Sequence, residues 1–94
     1  MALYKDQQLY AVEEGRPNRQ IALLIHGWSS SWYAMSPLVG LLSQRFRAVA
    51  IDLPGYGASP PLPDRATISG YVEVLANFIE RVSDGPVVLV GHSM

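Results

Sequence analysis

The sequence predicts an α/β fold: a parallel sheet with helical cover, led by a short hairpin. Three observations predict it. Three short apolar runs, "IALLI" (21–25), "FRAVAI" (46–51) and "VVLV" (87–90), are bounded by polar or turn-forming residues and too brief for helices. They are continuous rather than alternating, as strands covered on both faces are. Between them lie two stretches whose apolar residues recur at helical spacing. Strand, helix, strand, helix, strand makes two βαβ units and therefore parallel pairing.

Each element has a local reason. "LYKDQQLYAVEEG" (3–15) alternates loosely around Lys5, Asp6, Gln7 and Gln8 and reads as a hairpin with one wet face. "GRPNRQ" (15–20) is a turn, and 21–25 follows as the first buried strand. "GWSSSWYAM" (27–35) reads as a loop. Ser36 then stands as an N-cap with Pro37 at the first helical position. Leu38, Leu41 and Leu42 follow at helical spacing, with Arg45 near the helix end, where a cation is favoured. After the strand at 46–51, "DLPGYGASPPLPD" (52–64) is a loop punctuated by two glycines and four prolines. Thr67 is expected to cap a second helix with Tyr71, Val74, Leu75, Phe78, Ile79 and Val82 as its buried stripe. Asp84-Gly85-Pro86 ends it, and 87–90 is the third buried strand.

Composition narrows the function. At 94 residues, one domain is the most the chain can form. A net charge of −1 carries no basic excess for a nucleic-acid or anionic-membrane partner. The chain has no cysteine, which removes disulfides and thiolate metal sites. Lys5 and Asp6 interrupt the start before any apolar run, unlike a signal peptide, and no run approaches the ~20 residues that span a bilayer. A soluble, cytoplasmic chain is the expectation. His26 and His92 lie 66 positions apart without a carboxylate pattern, so neither a metal nor a cofactor is expected. "GYGASP" (55–60) begins like a dinucleotide fingerprint, but Pro60 stands where its last glycine belongs and no helix opens there. Gly55 and Gly57 are expected instead to let the loop return tightly.

Three motifs fall at the carboxyl ends of the three runs: "HGW" (26–28), "DLPGYGAS" (52–59) and "GHSM" (91–94). That is where open α/β sheets place their sites. On these residues the chain resembles the N-terminal part of an α/β-hydrolase-fold enzyme of the esterase, lipase and C–C hydrolase kind. The resemblance covers essentially residues 1–94, as an incomplete single domain. The family's nucleophile elbow is Gly-x-Ser-x-Gly, of which Gly91, His92, Ser93 and Met94 supply the first four positions. A strand turning sharply into a helix holds the central hydroxyl above the sheet in strained geometry, and small neighbours let the backbones approach. The resemblance implies Ser93 as nucleophile and the backbone N–H groups of Trp28 and Met94 as the oxyanion hole. Those two amides converge only if the strands ending at His26 and Gly91 are neighbours. The family's acid and base come from later strands, beyond residue 94, in the order Ser, acid, His. A serine rather than an aspartate at the elbow points away from the epoxide-hydrolase and haloalkane-dehalogenase branches. It implies acyl transfer on a small-molecule ester or similar acyl substrate.

Other readings stand beside this one. Gly91-His92-Ser93 also suits a plain turn after a strand. His26, Asp52 and Ser93 form an internal triad if geometry brings them together, since triads are not defined by chain order. The resemblance argues against that triad: His26 is expected to make a hydrogen bond that shapes its loop, Asp52 to fix the loop that follows it by accepting N–H bonds, the Trp28 indole to pack the pocket wall, and His92 to take a supporting position. A ligand-binding or receptor module on the same scaffold, or a short interaction protein, are the alternatives to an enzyme. The sequence reads as a truncated open reading frame. By itself it is expected to be inactive, because a terminal carboxylate at Met94, ~5 Å from the oxyanion, costs about 3 kcal/mol at an effective dielectric of ~20. The apolar edge of 87–90 is expected to be open to aggregation.

Overall fold

The computed structural model describes residues 2–5, 9–27, 31–55, 57, 59, 68–83 and 85–91. Its five strands are β1 (Ala2–Lys5), β2 (Tyr10–Glu14), β3 (Ile21–Ile25), β4 (Arg47–Asp52) and β5 (Val88–Gly91). They form one sheet in the order β1-β2-β4-β3-β5. The leading hairpin is antiparallel and joins β4 antiparallel, with Tyr10 opposite Asp52. The other three strands are parallel, β4 on one side of β3 and β5 on the other. This is the predicted hairpin with three parallel strands and two crossovers.

Side chains alternate along β3 and β4 and so divide the core in two. Ile21 and Leu23 of β3, with Val49 and Ile51 of β4, meet Val74 and Phe78 of the helix α2 (Ile68–Val82). Leu75, Ile79 and Val82 pack against the same cluster, as the helical stripe predicts, while Tyr71 is half-buried. Phe78 is fully buried and contributes roughly 2–3 kcal/mol by that alone. On the opposite face, Leu24, Ala48 and Ala50 meet Met35 and Val39 of the first crossover. The alanines of β4 let that shorter helix, α1 (Ser36–Leu42), lie close.

The structure differs from expectation around α1. Residues Trp32–Met35 are not loop but a 3-10 helix that runs straight into α1. Ser36 is therefore the first residue of α1 rather than its cap, and its N–H donates to the Tyr33 carbonyl. An N-cap side chain is unnecessary where a preceding turn already supplies acceptors. Of the three leucines only Leu42 packs inward, whereas Leu38 and Leu41 are exposed. Arg45 falls beyond the helix, whose trailing carbonyls at Ser43 and Gln44 are taken by Arg19. The third strand also departs from its prediction. Val88 and Leu89 are exposed, because β5 pairs only with β3 among the described residues. Thr67 and Asp84 lie outside the described residues.

Candidate active site

The chain reverses direction across the sheet at β3. The crossover through α1 leads from β3 to β4 on one side, and the crossover through α2 returns past β3 to β5 on the other. Such a switch point opens a crevice at the carboxyl ends of the strands, where α/β sheets bind ligands. In register, Ile25 lies opposite both Ile51 and Gly91. Ile25, Ile51 and Gly91 therefore stand at one level, at the carboxyl ends of their strands. The neighbouring-strand condition for a shared oxyanion hole is met. Trp28, His92, Ser93 and Met94 lie outside the described residues.

What is described there is a set of buried polar groups that hold backbone. His26 and Asp52 are each 1% exposed. The His26 ring donates from Nδ1 to the Gly27 carbonyl at 2.7 Å and accepts the Leu53 N–H at Nε2, 3.0 Å away. Its partners dictate the tautomer, since a carbonyl only accepts and an amide N–H only donates. In a triad Nδ1–H would face the acid and Nε2 the nucleophile. Here both nitrogens face main chain.

Asp52 Oδ1 accepts the Trp32 N–H at 2.6 Å, so it ties the chain leaving β4 to the 3-10 helix after β3. The sequence suggested that Asp52 would serve its own following loop. That loop approaches it differently, through Gly57 at φ +52, where a Cβ would fall 2.1 Å from Asp52 Oδ2. Gly55 is also left-handed, at φ +85, so both glycines permit the tight return expected of them. Ser59 closes the loop: its buried hydroxyl accepts the Tyr10 N–H at 2.8 Å and donates to the Asp52 carbonyl. Sequence reasoning missed Ser59. Its role depends on Tyr10 and Asp52 being the last pair of the β2–β4 ladder, which no local pattern announces. With its hydroxyl engaged both ways, Ser59 serves the fold and not as a nucleophile.

The comparisons with known proteins fit this geometry. A model of the alpha/beta hydrolase family matches residues 22–94. The chain belongs to the alpha/beta hydrolase family. Among curated relatives of this alpha/beta hydrolase, the (E)-2-((N-methylformamido)methylene)succinate hydrolase of Acinetobacter baylyi is 33% identical over 81 residues, which are 86% of this chain and 29% of that protein. A serine hydrolase-like protein of Danio rerio is 34% identical over 89 residues, 93% of this chain and 26% of that one. Among solved structures, the Cif epoxide hydrolase of Acinetobacter nosocomialis superposes with a TM-score of 0.88 at 28% identity, over 98% of this chain and 30% of that one. The chain thus spans under a third of the length of these relatives. No helix among the described residues is long and apolar enough to cross a membrane.

Proposed function

We propose that the chain is the nucleophile-bearing part of a serine hydrolase, in which Ser93 attacks the carbonyl of a small ester or other acyl substrate. The observation that carries this reading is the parallel pairing of β5 with β3, with Ile25 opposite Gly91. The "HGW" and "GHSM" stretches follow two adjacent strand ends, as a shared oxyanion hole requires.

In the proposed reaction, the Ser93 oxygen bonds to the carbonyl carbon while its proton passes to a histidine base. The amides of Trp28 and Met94 donate to the resulting oxyanion, each worth about 3 kcal/mol in such sites. The carbonyl re-forms, and the bond to the leaving group breaks as that group takes the proton. Water, activated by the same base, then releases the acid and regenerates the serine. The base and its acid belong to the remainder of the whole protein. His26 is unsuited to be that base, with both ring nitrogens bonded to main chain.

Labelling with a fluorophosphonate tests the reading. The full-length wild-type protein is expected to be modified at Ser93 and to hydrolyse an activated ester. Ser93→Ala is expected to lose the label and roughly 10⁴–10⁶ in kcat. A folded wild-type protein that ignores the phosphonate would favour the ligand-binding module instead.

A further inference from the structure

We propose that the groove at the amino ends of the parallel strands binds a small organic oxyanion, a carboxylate or a phosphate, through Arg19. The groove measures about 380 Å³, at the small end of the ~300–1,000 Å³ typical of small-molecule sites. Arg19, Gln20 and Ile21 line it where β3 begins, Arg47 where β4 begins, and Val82 and Pro86 between the end of α2 and the start of β5. Its sides are tied together. The Gln20 amide donates to the Pro86 carbonyl at 3.2 Å, which joins the start of β3 to the approach to β5. The Ser83 hydroxyl donates to the Gly85 carbonyl and accepts the Gly85 N–H, which closes the turn after α2. The groove lies at the opposite end of the strands from the crevice, so it does not depend on the serine-hydrolase reading.

Charge selects the ligand. Arg47 is matched within the protein: Nη2 pairs with Glu13 Oε1 at 2.8 Å, and Nη1 donates to the Val82 carbonyl at 3.2 Å. Val82 is the last residue of α2, so that cation offsets the negative end of the helix. Arg19 differs. Its Nη1 donates to the carbonyls of Ser43 and Gln44, and no carboxylate among the described residues forms an ion pair with it. Two carbonyl dipoles therefore fix the guanidinium without supplying a full negative charge. A guanidinium has five N–H donors, and Nη1 accounts for only two. The Nε–H and Nη2 edge is the fork that meets a carboxylate or phosphate with two parallel hydrogen bonds. Because the side chain is already held and half-buried, little freedom is lost when an anion arrives. Ile21, Val82 and Pro86 offer apolar contact to the body that carries the anion. Occupancy stabilises the fold by mass action and leaves turnover at the other end of the strands unchanged.

Phenyl phosphate and benzoate present the two oxyanions on one ring and serve as probes of the full-length protein by calorimetric titration at low ionic strength. At least one of them is expected to bind the wild type with a Kd of about 1 mM or below and to raise its Tm. The tighter of the two names the oxyanion the groove takes. Arg19→Met is expected to weaken that binding about 10-fold or more. Arg19→Lys keeps the charge without the fork and is expected to stay about 3- to 10-fold weaker than wild type. Arg45→Met removes an exposed cation that does not line the groove and is expected to bind as the wild type does. Arginine ¹⁵Nε spectra of the wild-type protein give a readout that needs no variant to fold: the Arg19 signal should move on titration while that of Arg45 stays. Absence of binding, equal losses in the Arg19→Met and Arg45→Met proteins, or a probe that binds while leaving the Arg19 signal still would each overturn the proposal. Wild-type affinity in Arg19→Lys would overturn the fork.

Discussion

At the amino ends of β3, β4 and β5, long side chains reach across gaps to finish other elements; at the carboxyl ends, short buried ones hold loops against each other. At the amino end, Arg19 Nη1 donates to the carbonyls of Ser43 and Gln44 just past α1, and Arg47 Nη1 donates to Val82 at the end of α2. Arg47 also pairs with Glu13 at 2.8 Å, and the Gln20 amide reaches the Pro86 carbonyl at 3.2 Å. Cations thereby meet the negative ends of helices. Arg19, Gln20, Arg47, Val82 and Pro86 line a groove of about 380 Å³. At the carboxyl end, His26, Asp52 and Ser59 are buried and hydrogen-bond to backbone. The difference is one of purpose. Losses at the amino end should fall on stability alone, and losses at the carboxyl end on activity as well.

The largest effect expected is at the amino end. Gly15 has φ +114, and a Cβ there would sit 2.3 Å from the Phe46 carbonyl oxygen. That oxygen is main chain and cannot rotate away. Gly15→Ala should cost about 3–4 kcal/mol, combining a strained φ with a backbone clash. Urea unfolding of the full-length protein measures it. The folded fraction should retain wild-type kcat, and a fall in kcat at full folding would break the division between the two ends.

Asp52 gives the contrasting case. Asp52→Ala leaves at least the Trp32 N–H without its acceptor inside the protein, for about 2–3 kcal/mol. Asp52→Asn keeps an oxygen for that amide and should cost only about 1 kcal/mol. If the carboxyl end positions catalytic loops, Asp52→Ala should also lower kcat of the folded protein, and Asp52→Asn should restore most of it. Parallel urea and kinetic measurements sharpen the comparison, since a purely structural Asp52 would move the first and leave the second.

How far these differences are legible in the sequence follows from the range of the interactions. The runs at 21–25 and 46–51 and the stripe from Val74 to Val82 declare themselves because their burial is periodic and local. The site end was legible as three motifs after three strands, since parallel topology alone aligns strand ends. The long-range hydrogen bonds inside it were not. Asp52 binds the Trp32 amide 20 residues away, and Ser59 reaches Tyr10 across 49. Nothing in a window of sequence couples such pairs until the sheet order is known. Val88 and Leu89 show the reverse failure: apolar composition predicts burial, yet burial depends on what lies beside a strand, and the outer side of β5 carries no partner strand among the described residues. Arg19 is a third case, a turn residue by sequence that becomes the cation at a helix end.

That arginine supplies the smallest and cleanest test of the comparison. Arg19→Met keeps the length and apolar stem of the side chain and removes only the guanidinium. It gives up hydrogen bonds from a cation to two carbonyls past α1, in a half-buried setting open to salt. The expected cost is about 0.5–1 kcal/mol at low ionic strength, because the freed carbonyls can turn to water. High salt should narrow the gap between variant and wild type, as the charge–dipole part is screened while the packing of the stem is not. Activity per folded molecule should be unchanged, since Arg19 sits at the opposite end of the strands from His26, Asp52 and Gly91. A salt-independent loss would assign the role of Arg19 to packing, and a change in kcat would mean that the amino end reaches the site through the sheet, which would undo the separation of stability from function argued here.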